Sequence, residues 1–314
     1  MKLAKTLKLS AAAFTLFAAA PLLAEEAAAP ALDAALAAAT TATATASGPA
    51  MWKVADEDTT IYLFGTVHIL PKDVEWFDMT ISDALAKSDI IVTELPMDPK
   101  SEAQMATLVQ KVGMLPAGTK LRSLLTKEQT AAYEGAFKKL GLPPQVADQF
   151  DAFKPWFAGL NLSMLPMLMN GYSPETGVEK VLLAKAGDKP QGALETAEFQ
   201  FGIFDNLPKD KQIAFLIEAA DGVGEATAML NSMVSEWVKG DADKLAAIMN
   251  EGMDDPVLMD ALLHSRNANW AEWIAKRMDQ PGTVFIAVGA GHLAGEKSVQ
   301  DLLAAKGIAT TRVK

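Results

Sequence analysis

The segment Ile61-Tyr-Leu-Phe-Gly-Thr-Val-His68 decides the fold of this chain, and a matching segment, Val284-Phe-Ile-Ala-Val-Gly-Ala-Gly-His292, follows more than 200 residues later. Each segment is an apolar, β-favouring run that ends in Gly-x-x-His. The chain has three histidines, and two of them occupy these matching positions. Imidazole is the commonest metal ligand and the usual acid–base group near neutral pH. The repeat therefore predicts one shared site just beyond two buried strands.

Two further predicted strands also end in polar side chains. Asp89-Ile-Ile-Val-Thr93 leads into Glu94, and Pro190-Gln-Gly-Ala-Leu194 leads into Glu195. The strand–helix–strand order over residues 60–93 is a βαβ unit, whose two strands run parallel. Ligands collect at the carboxyl ends of parallel strands. Four polar groups are therefore expected to meet at one edge of the sheet: His68, Glu94, Glu195 and His292.

A helical block separates the two sheet-forming ends of the chain. Residues from about 99 to 282 are mostly helical in pattern and are predicted to form a large insertion. The region 51–314 is thus predicted to be one α/β domain, with a mostly parallel sheet and strand-end Gly-x-x-His loops. Residues 25–50 are nearly all Ala, Thr and Pro without apolar periodicity, which is typical of a flexible tether.

The first residues have the pattern of a Sec-type signal peptide. Lys2, Lys5 and Lys8 precede the apolar run 9–23, so residues 1–24 are predicted to be removed on export. The apolar run is too short for a comfortable membrane span. An uncleaved membrane anchor is the alternative. The mature protein is predicted to be periplasmic or secreted, with no stable membrane anchor after cleavage.

The amino-acid composition limits which classes of partner and which metal ligands are possible. The formal net charge is −11, which disfavours nucleic acid or anionic lipid as the main partner. The chain has no cysteine, so any metal must be held by nitrogen and oxygen atoms. Two histidines with one or two carboxylates suit a divalent metal ion such as Mn, Co, Zn or Fe. Water bound to such an ion becomes a nucleophile near neutral pH.

The candidate side chains have alternative roles. His68 and His292 are predicted to hold the metal, and Glu94 is either a third ligand or the general base. As a half-buried carboxylate, Glu94 needs a metal or a cation as its partner. Glu195 is a further candidate ligand, although Glu195-Thr196 is also a pattern that opens a helix. Arg266 is predicted to stabilise a developing oxyanion, with a surface charge as the alternative.

The chain resembles the TraB/PrgY/GumN family, which includes the Tiki proteases. The resemblance covers residues 51–314. Besides the two Gly-x-x-His segments, the second of which extends to Gly295, it depends on several short motifs. These motifs are Trp52-Lys-Val54, Glu94-Leu95, Gly171-Tyr-Ser-Pro-Glu-Thr-Gly-Val-Glu179, Leu194-Glu-Thr196, Trp237 with Gly240-Asp241, and Arg266-Asn267.

The resemblance implies a fold related to the erythromycin esterase-like and haem-binding ChaN-like proteins. Tiki members are described as metal-dependent proteases that use both Gly-x-x-His histidines and a glutamate. These correspond here to His68, His292 and Glu94, and the arginine of the Arg-Asn pair corresponds to Arg266. Many members have Gly-x-Asp where this chain has Gly177-Val-Glu179. The extra methylene leaves the role of that carboxylate open.

The function predicted from these observations is that of an exported metal-dependent hydrolase, a peptidase acting on a peptide or protein substrate. A non-catalytic protein that binds haem, a metal or a peptide at the same strand ends is the first alternative, suggested by the ChaN-like relatives. An accessory factor in envelope polysaccharide assembly is the second alternative, because GumN-like members often appear near polysaccharide genes.

Overall fold

The computed structural model describes residues 48–250 and 256–314. The predicted signal peptide, residues 1–24, and most of the predicted tether, residues 25–50, lie outside the described residues. The last three tether positions, 48–50, are buried, so ordered packing begins slightly earlier than the sequence indicates. Among the described helices, none combines the length and hydrophobicity that a membrane crossing requires.

Strands dominate both ends of the described chain, and helices fill the middle. The strands are β1 Met51–Ala55, β2 Thr59–Thr66, β3 Leu70–Pro71, β4 Ile90–Thr93, β5 Tyr172–Ser173, β6 Gln191–Ala193, β7 Gly282–Gly289 and β8 Thr311–Arg312. The helices are α1 Met79–Lys87, α2 Pro99–Val112, α3 Lys127–Lys139, α4 Pro144–Phe150, α5 Pro155–Met169, α6 Val178–Ala186, α7 Ala197–Asp205, α8 Lys209–Gly222, α9 Ala226–Lys239, α10 Ala242–Asn250, α11 Pro256–Met259, α12 Ser265–Arg277 and α13 Val299–Ala305. Short 3₁₀ turns span Leu121–Leu124, Pro174–Thr176 and Ala290–Leu293, and a π-helical turn spans Asp260–His264. This element order confirms the predicted α/β class.

Six strands form a mixed, mostly parallel sheet in the order β6-β4-β7-β2-β1-β8. The neighbours β6, β4, β7 and β2 run parallel, whereas β1 and β8 are antiparallel additions at one edge. β2 and β4 are parallel as predicted, but β7 lies between them. In the register of β2 with β7, Gly65 pairs with Val288 and Thr66 pairs with Gly289. The two Gly-x-x-His segments therefore leave the sheet side by side.

Both faces of the sheet are covered, which explains why β2 and β7 are continuous apolar runs. Leu63 and Ile286 belong to a buried cluster on one face, together with Trp270 of α12. Phe64 and Phe285 point to the opposite face, where their ring centroids are 5.9 Å apart. Since successive side chains on a strand alternate between faces, each apolar run contributes to two cores at once.

The helical insertion has a core of its own that reaches the back of the site. Trp156 of α5 is fully buried, and its ring stacks on Phe204 with centroids 6.0 Å apart. The same cluster contains Leu95, next to Glu94, and Leu262, one helical turn before Arg266. The insertion therefore packs directly against the segments that carry two of the predicted site residues.

The N-terminus of α6 docks on the loop that carries His68. The backbone N–H of Val178 donates to the carbonyl oxygen of Val67 at 3.0 Å. A Cβ atom at Gly177 would overlap the carbonyl oxygen of His68. Glycine at this position therefore permits the close approach that brings Glu179, in the first turn of α6, towards the His68 ring.

The first prediction concerns this close approach. Gly177→Ala is expected to lower the free energy of unfolding by about 1–3 kcal/mol, because the backbone of the His68 loop must move to make room. Urea unfolding of the full chain measures the effect. Gly135→Ala in α3 is the matched control, since a Cβ there meets nothing within 4 Å. It should be neutral or stabilising by up to about 1 kcal/mol. Equal stability of the two variants would contradict the prediction.

Candidate functional site

Four of the predicted site residues follow the carboxyl ends of the four parallel strands and Arg266 lies in α12, but the predicted residues form two separate groups. The first group, which we call the Arg266 cluster, surrounds the guanidinium and consists of Arg266, Glu94, Glu195, Gln200 and His292. The second group, which we call the His68 pair, consists of His68 and Glu179. The same Gly-x-x-His motif thus places its two histidines in different surroundings.

Arg266 is the centre of the first group and is completely buried. Its Nε donates to Glu195 at 2.9 Å, and its Nη2 donates to Glu195 at 2.9 Å and to Glu94 at 2.6 Å. Its Nη1 lies 3.1 Å from both the carbonyl oxygen of Leu262 and Nε2 of His292. A guanidinium has five N–H donors, and these contacts engage all five. In this arrangement Arg266 holds neighbouring side chains and directs no donor at a substrate oxygen.

Glu94 and Glu195 receive further hydrogen bonds, as buried carboxylates require. The amide of Gln200 donates to Glu94 at 3.1 Å and to Glu195 at 2.8 Å. The indole N–H of Trp270 donates to Glu195 at 2.9 Å, and the backbone N–H of Gly289 donates to Glu94 at 2.6 Å. Burial by itself would lower the pKa of the Arg266 guanidinium, but attraction to the two carboxylates outweighs burial and raises it.

His292 is neutral and hydrogen bonded at both ring nitrogens. Because Arg266 can only donate, the Nε2 atom of His292 must accept, and the proton is on Nδ1. The Nδ1–H group donates to the side-chain oxygen of Asn267 at 2.5 Å. Burial, reinforced by the positive charge of Arg266 and by His68, holds the pKa of His292 well below its ordinary value of 6.5. The ring also packs on Trp270, with centroids 4.2 Å apart.

His68 pairs with a carboxylate instead of a guanidinium. Its Nδ1 lies 2.6 Å from Oε1 of Glu179, and the same oxygen accepts from the hydroxyl of Thr66. Burial raises the pKa of Glu179, but electrostatic attraction to the His68 ring and the hydrogen bonds from His68 and Thr66 outweigh burial and lower it. An ionised carboxylate can only accept, so the Nδ1 atom of His68 carries a proton. In the neutral ring, Nε2 then keeps its lone pair.

A small cavity of about 30 Å³ borders the His68 ring. That space is large enough for a water molecule. The His68 side chain is 13% exposed, whereas the His292 side chain is 0% exposed. Of the two histidines, His68 is the one whose side chain is accessible to solvent. The cavity is lined almost entirely by apolar atoms of Thr66, Val67, His68, Ile69, Leu230, Met233, Leu245, Met249, Gly289, Ala290 and Gly291.

The predicted metal ligands do not form an open metal site as they are arranged. Glu94, Glu195 and His292 direct donor atoms at the guanidinium of Arg266, which holds the position of a bound cation. Within residues 48–250 and 256–314, no group of three or more His, Asp or Glu side chains is placed to hold an ion. The donor set around Arg266 therefore does not fit a resident metal, and metal binding stays a prediction.

Three residues of the site were not among the sequence candidates. Gln200 lies one turn into α7, Asn267 follows Arg266 in the Arg-Asn motif, and Trp270 lies one turn after Arg266. Of these three residues, only Asn267 could have been found from the sequence, because it belongs to the Arg-Asn motif. Glu179, whose role the sequence left open, is the hydrogen-bond partner of His68. Its extra methylene does not prevent that contact.

Comparisons with known proteins establish the family. The TraB/PrgY/gumN family model matches residues 50–312, and the chain belongs to this family. The chain is 26% identical over 244 residues to "Uncharacterized protein YbaP" of Escherichia coli (strain K12), covering 77% of this chain and 87% of that protein. An "Uncharacterized protein" of Treponema pallidum (strain Nichols) is 24% identical over 271 residues, covering 80% and 79%. No solved structure matches significantly.

The second prediction concerns the buried neutral His292. Its unfolded ring binds a proton below its ordinary pKa of 6.5, whereas its folded ring does not. The free energy of unfolding should therefore fall as the pH is lowered from about 8 to about 5, with this residue contributing up to about 1.4 kcal/mol per pH unit. His292→Gln should remove that contribution in urea unfolding at a series of pH values.

The partly buried His264 provides the control for this measurement. Burial also lowers the pKa of His264, but less strongly, so His264→Gln should reduce the pH dependence by a smaller amount. Identical pH slopes for the wild-type chain and His292→Gln would contradict the assigned protonation state of His292.

Proposed function

We propose that this member of the TraB/PrgY/gumN family is an exported hydrolase in which His68 acts as the general base, with Glu179 as its positioning residue. His68 would activate a water molecule for attack on a substrate carbonyl. The observation that supports the proposal is the hydrogen bond of 2.6 Å between Nδ1 of His68 and Oε1 of Glu179. A base whose second nitrogen is held by a carboxylate is a recurrent arrangement in hydrolases.

The chemistry of the pair follows from the placement of its protons. The Nε2 atom of His68 accepts a proton from water as the water oxygen bonds to the carbonyl carbon. The ring is then an imidazolium, which the negative charge of Glu179 stabilises. The lowered pKa of Glu179 means that this carboxylate is ionised at neutral pH. The proton then passes from Nε2 to the leaving group as the bond between the carbonyl carbon and the leaving group breaks, which restores the neutral ring.

The Arg266 cluster would support this step from behind. Glu94 accepts the backbone N–H of Gly289, and Gly289–Gly291 lines the cavity beside His68. By holding the Gly289–Gly291 loop in place, this hydrogen bond would also hold the side of the cavity that a substrate would contact. Glu94, Arg266 and His292 are accordingly positioning residues in this proposal. The step requires no metal ion between Glu94 and Glu195, because Arg266 already binds their oxygens.

A peptide or protein is the substrate class that we propose, following the Tiki members of the family. Export by an N-terminal signal peptide, and a periplasmic or secreted location, belong to the same proposal. The finer relationship of the fold to erythromycin esterase-like and ChaN-like proteins also belongs here. Its support is a mostly parallel sheet with the candidate site at the carboxyl ends of the strands.

The third prediction tests the base directly. With a substrate found in a screen of peptides and simple esters, His68→Ala should lower kcat/KM by at least about 100-fold, because the base is lost. Glu179→Gln should lower it by about 10-fold or more, because the neutral amide stabilises the imidazolium poorly. Glu179→Asp keeps the charge and should retain more activity than Glu179→Gln.

His264→Ala is the matched control for loss of a histidine, since His264 lies outside both groups, and it should leave kcat/KM unchanged. The proposal fails if His68→Ala hydrolyses the substrate as fast as the wild-type chain does. Peptide binding that depends on His68, without any hydrolysis, would instead favour the non-catalytic binding protein.

A further inference from the structure

We infer that Arg266 is a built-in cation at the position where this site would otherwise bind a divalent metal ion, and that removing its guanidinium creates a metal site. The inference rests on the contacts of the Arg266 cluster and is independent of the proposed hydrolysis. The Arg266 guanidinium thus takes the place of the metal ion that the sequence predicted between these side chains.

The donor atoms around the guanidinium are of the types that bind transition metals. Two carboxylates, from Glu94 and Glu195, and the unprotonated Nε2 of His292 converge on Arg266 at 2.6–3.1 Å. Carboxylate oxygen and neutral imidazole are ligands of Zn²⁺, Mn²⁺ and Co²⁺. A divalent ion would balance the two carboxylate charges, which the single charge of Arg266 balances only in part.

The spacing of the donors also suits one ion. Nε2 of His292 and Oε1 of Glu94 lie 3.9 Å apart. Zinc binds nitrogen and carboxylate oxygen at about 2.0–2.2 Å, so two ligands of one ion are separated by up to about 4.2 Å. The separation of 3.9 Å lies below this limit, so one ion can contact both His292 and Glu94 once the guanidinium is absent and the two side chains move slightly closer.

The outer contacts that orient metal ligands are already present. A metal-bound histidine almost always donates its second N–H to a protein acceptor. His292 donates its Nδ1–H to Asn267, Glu195 accepts from Trp270, and Glu94 accepts from Gly289. These contacts hold the three donors in place around the cation. Such a shell favours binding of an added ion, because its ligands need little ordering.

In the wild-type chain the guanidinium excludes a metal ion from this position. Arg266 is covalently attached and fully buried, and its guanidinium, which stays protonated in proteins, forms ion pairs with both carboxylates. An ion from solution would have to displace five hydrogen bonds and leave a buried positive charge without a partner. The wild-type chain is therefore expected to bind no divalent ion at the Arg266 cluster.

The fourth prediction compares the full wild-type chain with Arg266→Ala. Each is mixed with Zn²⁺, Mn²⁺ or Co²⁺ separately, and binding is followed by titration calorimetry and by metal analysis after gel filtration. We expect near-stoichiometric uptake of at least one ion by Arg266→Ala and none at this cluster in the wild-type chain. Adding Glu195→Gln or His292→Ala to Arg266→Ala should weaken binding at least about 10-fold.

Arg122→Ala is the matched control. Nη1 of Arg122 contacts Asp148 at 2.7 Å and Asp151 at 2.8 Å, so this variant also frees two carboxylates. No histidine belongs to the ion pairs that the structure describes for Arg122. Arg122→Ala should therefore not gain tight binding of the same ion. This comparison separates a built metal site from simple release of acidic side chains.

Folding of Arg266→Ala is measured in the same experiment by thermal unfolding. Loss of the cation should lower Tm, and the bound ion should restore part of the loss. The inference is overturned if folded Arg266→Ala takes up none of the three ions. The inference is also overturned if Arg266→Lys folds but Arg266→Ala is unfolded and none of the three ions restores its folding. If the wild-type chain takes up an ion and the Glu94→Gln substitution abolishes that uptake, the inference is overturned as well.

Discussion

The structure depends on the burial of one guanidinium between two carboxylates. Arg266 of α12 binds Glu94 after β4 and Glu195 after β6, and it contacts His292 after β7. One side chain thereby connects three strand ends of the sheet to a helix behind them. Removing one partner from a buried ion pair leaves an uncompensated charge, at a cost of about 3–5 kcal/mol. The geometry of the strand-end loops is consequently tied to the stability of the domain.

The pairing of β2 with β7 sets the relation between the two histidines. Their Gly-x-x-His segments leave neighbouring parallel strands in register, yet only the His292 ring enters the space behind the strand ends. There it is neutral and accepts from a cation. His68 remains at the border of a cavity and donates to Glu179. Equal motifs acquire different chemistry because the partner of each ring nitrogen differs.

Features that depend on residues close together in the sequence could be predicted, whereas features that depend on contacts between distant residues could not. β2, β4 and β7 could be predicted because their apolar runs are local signals, and strand polarity follows from the βαβ connection. The pair of strands β3 and β5 was not predicted, because it joins residues about 100 positions apart through two residues each. Gln200 and Trp270 were not recognised as site residues for the same reason, since nothing near them in the sequence marks their partners.

The sequence by itself determined the α/β class, the mostly parallel sheet and the placement of His68, Glu94, Glu195 and His292 just beyond the ends of parallel strands. Strand periodicity and the direction of parallel strands are sufficient for these features. Only the tertiary structure decided which cation meets the two glutamates and which carboxylate holds His68. Both answers depend on distance and burial, which bring together residues far apart in the chain. A buried charge must then be matched by whichever group of opposite charge the packing places beside it.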